Sequence, residues 1–150
     1  MSYWDNQKGY VLEGVLSTDD RLHNREIQQY IKQIADSTHQ RFDVNSILEQ
    51  IEQNDKQLWV VTNRKKIMGI VLTEITIYPV RKLCCVWGLA GVGVGEWVDL
   101  VKYLEVWAGG LGCTGMEVRG RKGWVKHLDP LGFKQDGVEL IKDIEYYGKI

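Results

Sequence analysis

The stretch 82–112 reads KLCCVWGLA (82–90), GVGVGE (91–96) and WVDLVKYLEVWAGGLG (97–112). Leu83, Cys84, Cys85, Val86, Trp87 and Leu89 form a short continuous apolar run, the pattern of a strand buried on both faces. Trp97, Leu100, Val101, Leu104, Trp107 and Ala108 recur at helical spacing and predict a helix with one apolar face. Between them Gly91, Gly93 and Gly95 alternate with Val92 and Val94. A glycine-rich turn from a buried strand into a helix exposes backbone N–H groups, an arrangement suited to a phosphate. Glycines also let a strand turn tightly and a helix pack close to a sheet. The spacing is neither a dinucleotide fingerprint nor a nucleoside triphosphate loop.

Upstream, Ser17-Thr18-Asp19-Asp20 reads as a turn and helix start after one strand, Tyr10 to Leu16. Ile27, Tyr30, Ile31 and Ile34 predict a first amphipathic helix; Val44, Ile47, Leu48 and Ile51 predict a second. Leu58–Thr62 and Ile67–Tyr78 flank the polar turn Asn63-Arg64-Lys65-Lys66 and read as a hairpin. Alternation places Leu72, Glu74 and Thr76 on one face of its second strand, so Glu74 faces solvent or lines a cleft. Downstream, 115–119 reads as a strand and 121–131 as a helix through Trp124, Val125, Leu128 and Leu131. Asp136-Gly137 then predicts a hairpin turn into a last strand, 138–144. The order predicts one α/β domain over residues 1–150. Its expected core is a mixed, mostly antiparallel sheet of six or seven strands, with helices on both faces and one late βαβ unit.

A formal charge of −1 on 150 residues excludes a wholesale electrostatic grip on nucleic acid. Arg119, Arg121, Lys122 and Lys126 around Trp124 make at most a local anion site or a solvated helix face. Three cysteines, two of them adjacent in the apolar run, read as reduced thiols without zinc spacing. The polar opening residues carry no secretory pattern and no apolar run reaches membrane length, so the expectation is a cytoplasmic protein without a membrane partner. Six tryptophans and seven tyrosines exceed what a core this size needs, which suggests an aromatic surface for a protein partner or a second copy.

This order, with Ala90-Gly91-Val92-Gly93-Val94-Gly95 at its centre and Leu131-Gly132-Phe133 closing the last helix, resembles the GNAT superfamily of acyl-CoA-dependent N-acetyltransferases. Gln57-Leu58-Trp59-Val60-Val61 and Arg119-Gly120-Arg121-Lys122-Gly123-Trp124 resemble the bacteriophage-encoded members, some of which are internal virion proteins. The resemblance implies acetyl-CoA as the acyl donor and an amine as acceptor. It implies that Val86, Trp87 and Leu89 pair with the pantetheine arm. The amides of Gly91, Val92, Gly93, Val94, Gly95 and Glu96 would hold the pyrophosphate, with Arg121 nearby. The chain departs from the family at Ala90, in place of Gln or Arg, and at Leu128, in place of the acid tyrosine. Glu74 and His127 are left as candidate catalytic groups. The alternative is a non-catalytic GNAT-like fold serving as a structural or interaction protein, such as a virion component.

Overall fold

The computed structural model describes residues 3–119, 124–137 and 139–144. Its strands are β1 (Tyr3–Asp5), β2 (Tyr10–Val15), β3 (Gln57–Asn63), β4 (Lys66–Ile77), β5 (Lys82–Gly91) and β6 (Gly115–Val118). They form one sheet in sequential order, antiparallel throughout except for the parallel pair β5–β6. Val86 and Val118 are direct partners in that pair, as expected for strands joined by a crossover helix.

Helices α1 (Arg25–Asp36) and α2 (Val44–Glu52) cover one face. Both begin on side-chain caps. Asn24 accepts from the amides of Glu26 and Ile27, and Asp43 forms a capping box with Ser46. Ile27, Ile31, Ile34, Ile47 and Ile51 pack there on Leu58, Val60, Ile70 and Leu72. The opposite face packs Leu12, Trp59, Val61, Val71 and Val86 beneath Trp97, Leu100, Val101 and Leu104. Leu58 to Val61 are all buried because both faces of β3 are covered, so the strand reads as a continuous apolar run. No described helix is long and apolar enough to cross a membrane.

The structure revises several boundaries. The helix expected from Trp97 starts earlier, as α3 (Val94–Trp97), passes through a 3₁₀ turn at Val98–Leu100 and continues as α4 (Val101–Gly110). Of the helix expected over 121–131, residues 121–123 lie outside the described residues, and the described part holds α5 (Val125–Leu128) followed by a 3₁₀ turn at Asp129–Leu131. Pro130 there lacks the N–H that would continue the α ladder. Residues 133–137 and 139–144 form no strand, so the expected closing hairpin at Asp136-Gly137 is absent among the described residues. Leu140 and Ile144 are 89% and 69% exposed there. Strand β1 was not legible in the sequence; its three residues gain their place by pairing with β2 and by packing Trp4 against Trp59 and Tyr103.

All six tryptophans are buried or half-buried. Trp4 stacks on Tyr103 at 5.8 Å, and Trp107 meets Trp59 edge-on at 4.9 Å. Among the described residues, Trp4, Trp59, Trp97, Tyr103 and Trp107 pack together between the sheet and the α3–α4 segment. Tyr3 and Tyr78 are the exposed aromatic residues among those described.

Candidate functional site

Among the described residues, the parallel pairing of β5 with β6 stops at Val86–Val118, while β5 runs on to Gly91 with β4 as its partner. The cause is a β-bulge. Leu72 faces Gly88 and Thr73 faces Val86, which leaves Trp87 as an extra residue in β5. The bulge also reverses which residues point sideways. Before it, the carbonyls of Lys82 and Val86 accept from Thr114 and Arg119 on the β6 side. After it, the Val92 amide donates to Met68 on the β4 side. Without an extra residue these even-numbered positions would all face one way. With it, Gly88, Ala90 and Val92 face β4, whereas Leu89 and Gly91 turn their N–H and C=O toward the edge that β6 has left. An open, extended edge of this kind can pair with a ligand that carries amide groups.

The loop beyond is pinned from below. Trp97 is fully buried, and its indole N–H donates to the Val92 carbonyl at 2.9 Å. Its ring lies on the facing pair Gly69 and Gly91; a Cβ on either would come within 2.9 Å of it. Gly91 therefore serves close packing. Gly93 has φ +63°, a left-handed conformation that turns the strand into α3. The amides of Gly93, Val94 and Gly95 donate to no acceptor among the described residues. The Val92 and Glu96 amides are already taken, by the carbonyls of Met68 and Gly93. Three neighbouring free amides suit an anionic ligand group.

Of the residues singled out in the sequence, Val86 and Leu89 pack on the α4 face and Trp87 on the α1–α2 face. The Glu96 carboxylate turns away from the loop to Lys8, 2.7 Å distant in the β1–β2 turn. Asn6 in the same turn donates to the Glu96 carbonyl and to Asp99, tying the N-terminal hairpin to the loop. Arg121 lies outside the described residues. His127 stands over the loop: a Cβ on Gly95 would lie 3.6 Å from its Cε1. Leu128 is a core residue, 6% exposed.

Glu74 sits on the other face of the sheet from His127, so the two candidate catalytic groups do not share a site. Its carboxylate lies 3.5 Å from the Lys56 ammonium, and Lys56 is the residue just before β3. The Lys56 Nζ is 4.2 Å from the ring centroid of Trp87 and 5.3 Å from that of Phe42, whose rings meet edge-on. Burial lowers the Lys56 pKa, with the Glu74 carboxylate opposing the shift. Phe42 also borders a cavity of about 470 Å³ at the α1–α2 connection, lined by Ala35, Gln40, Arg41 and Ser46 among others. The sequence reading missed Lys56, Phe42, Asn6 and Lys8. Lys56 follows Asn54-Asp55 and looks like part of a solvated turn; only the tertiary packing covers it.

No protein-family model matches the sequence, and no curated protein matches it. Solved structures do. An aminoglycoside acetyltransferase from an uncultured soil metagenomic sample superposes with a TM-score of 0.65 at 16% identity, over 91% of this chain and 97% of that one. A ribosomal-protein-alanine N-acetyltransferase from Brucella melitensis biovar Abortus 2308 gives 0.65 at 11% identity, over 89% and 99%. A transcriptional regulator from Bacillus halodurans C-125 gives 0.66 at 18%, over 90% and 99%. At these identities the likeness carries the fold and not an activity. The mixed, mostly antiparallel six-stranded sheet with its helices is thus consistent with the GNAT fold.

Proposed function

We propose that the protein is a GNAT-type N-acetyltransferase that uses acetyl-CoA and acts on an amine. The observation that carries this reading is the open edge of β5. It presents the backbone of Leu89 and Gly91 and leads into the amides of Gly93, Val94 and Gly95, all without a partner on that side among the described residues. A pantothenate-derived arm bearing amides, followed by a pyrophosphate, matches that sequence of groups, so the residues present fit an acyl-coenzyme A. The bound donor would supply a thioester carbonyl carbon. The chain would supply extended backbone to align the arm, amides for the phosphates, and Glu74 or His127 to move a proton. Arg121 is retained as a phosphate contact in this proposal. In this reading the protein works in the cytoplasm, that of the host if the chain is bacteriophage-encoded.

A second reading, a GNAT fold kept as a structural or virion component, is favoured by Leu128, a buried leucine where the resemblance expects an acid. Calorimetric titration with acetyl-CoA separates the two. Binding, followed by acetylation of an amine that falls on Glu74→Gln or His127→Ala with affinity unchanged, supports transfer. A folded protein that binds no acyl-CoA refutes it and leaves the structural reading.

A further inference from the structure

Lys56 presents an amine in an unusual place. Its side chain is 1% exposed, and its charged end is held by two aromatic rings and by a single carboxylate that is itself 35% exposed. One of those rings belongs to Trp87, the bulge residue at which β5 and β6 part. The amine therefore lies beside the apex of the open edge, on the face covered by α1 and α2. Among charged and titratable groups, Glu74 is nearest, and Asp55 and Cys85 add weaker fields. Burial shifts Lys56 toward the neutral, nucleophilic form, which surface lysines hold only sparingly at neutral pH.

Resting on the reading that an acyl thioester binds along the open edge of β5, we propose that Lys56 is itself an acyl acceptor, a modification site within the same chain. The neutral Nζ attacks the thioester carbonyl carbon, a C–N bond forms and the C–S bond breaks. The nitrogen gives up one proton to Glu74, and the departing thiolate takes one up from water or from that carboxylate. The products are an amide on Lys56 and the free thiol. The exchange also relieves a local cost. An ammonium held among rings by one half-exposed carboxylate becomes a neutral, largely apolar amide, while Glu74 retains access to water.

Free acylating reagents modify lysines in the order of their exposure. Lys32 and Lys8, with side chains 66% and 60% exposed, would react early and Lys56 last. Placement beside a bound donor reverses that order. The test incubates the intact chain with acetyl-CoA, or in parallel with acetic anhydride, and maps acetyl groups by peptide mass spectrometry. Coenzyme A binding is measured by calorimetry on the same preparation. The expected result is Lys56 modified about 10-fold or more ahead of Lys32 with acetyl-CoA, and behind it with the anhydride. Lys56→Arg and Lys56→Met should both bind coenzyme A as the parent does and lose the fast-modified site. Coenzyme A binding with Lys56 unmodified, or modified only after the exposed lysines, overturns the proposal and leaves the functional reading standing. A folded chain that binds no coenzyme A overturns both.

Discussion

The glycines of the central loop serve different purposes, and alanine substitutions should separate them. At Gly91 a Cβ would lie 2.5 Å from the Met68 carbonyl oxygen, 2.7 Å from Gly69 Cα and 2.9 Å from the Trp97 ring. Two of these are backbone atoms of the adjacent strand and cannot swing aside. The substitution must part β4 from β5 or lift Trp97 from the core, an overpacking cost of about 1–3 kcal/mol or somewhat more. At Gly93 the nearest atom is 3.9 Å away, but φ is +63°, so the cost is conformational, about 1–2 kcal/mol. At Gly95 the added Cβ meets only the His127 ring at 3.6 Å, an ordinary contact, and the residue is helical. Alanine there should be neutral or stabilising by up to about 1 kcal/mol. Urea unfolding followed by tryptophan fluorescence should thus rank Gly91→Ala as most damaging and Gly95→Ala as harmless. Gly95→Val, which crowds the gap between the loop amides and His127, should lose acetyl-CoA affinity while remaining folded. Equal stability losses at Gly91 and Gly95 would refute the division of roles. A Gly95→Val protein that binds the coenzyme as well as the parent would remove the loop from the site.

Thr73 accepts the buried Trp59 indole N–H at 2.9 Å and donates to Gln57, so Thr73→Val strands a core donor. It should destabilise by about 1–3 kcal/mol in the same urea assay. Asp43→Ala removes the carboxylate that accepts the Ser46 amide in the α2 capping box and should cost about 1 kcal/mol, read as a lower thermal midpoint. Burial pushes the Cys84 and Cys85 thiols up from 9.0 to about 12, so at pH 8 a thiol reagent should label Cys113 in the native protein well before either. The unfolded chain releases these protons near pH 9 and the folded chain does not. Their contribution to stability is therefore complete below pH 9 and declines as pH rises from 9 toward 12, a fall that Cys84→Ala combined with Cys85→Ala should flatten.

What the sequence by itself determined is local and periodic. The spacing of Ile27 through Ile34 and of Val44 through Ile51 specified two amphipathic helices, because a 3.6-residue repeat admits one buried face. The apolar runs 58–61 and 83–86 specified strands buried on both sides, and the helix between Val86 and Val118 specified their parallel pairing. The tertiary structure alone decided the rest. The Trp87 bulge leaves no mark in composition, since it arises from how many residues β4 and β5 place between shared contacts. Gly91 looked like its neighbours until Gly69 and Trp97 closed on it, and Glu96 looked like a charge at an anion site until Lys8 drew it away. Lys56 looked like solvated turn chemistry. Long-range packing of Phe42, Glu74 and Trp87 around it made a buried amine, and the burial of a charged side chain is set by residues far apart in the sequence.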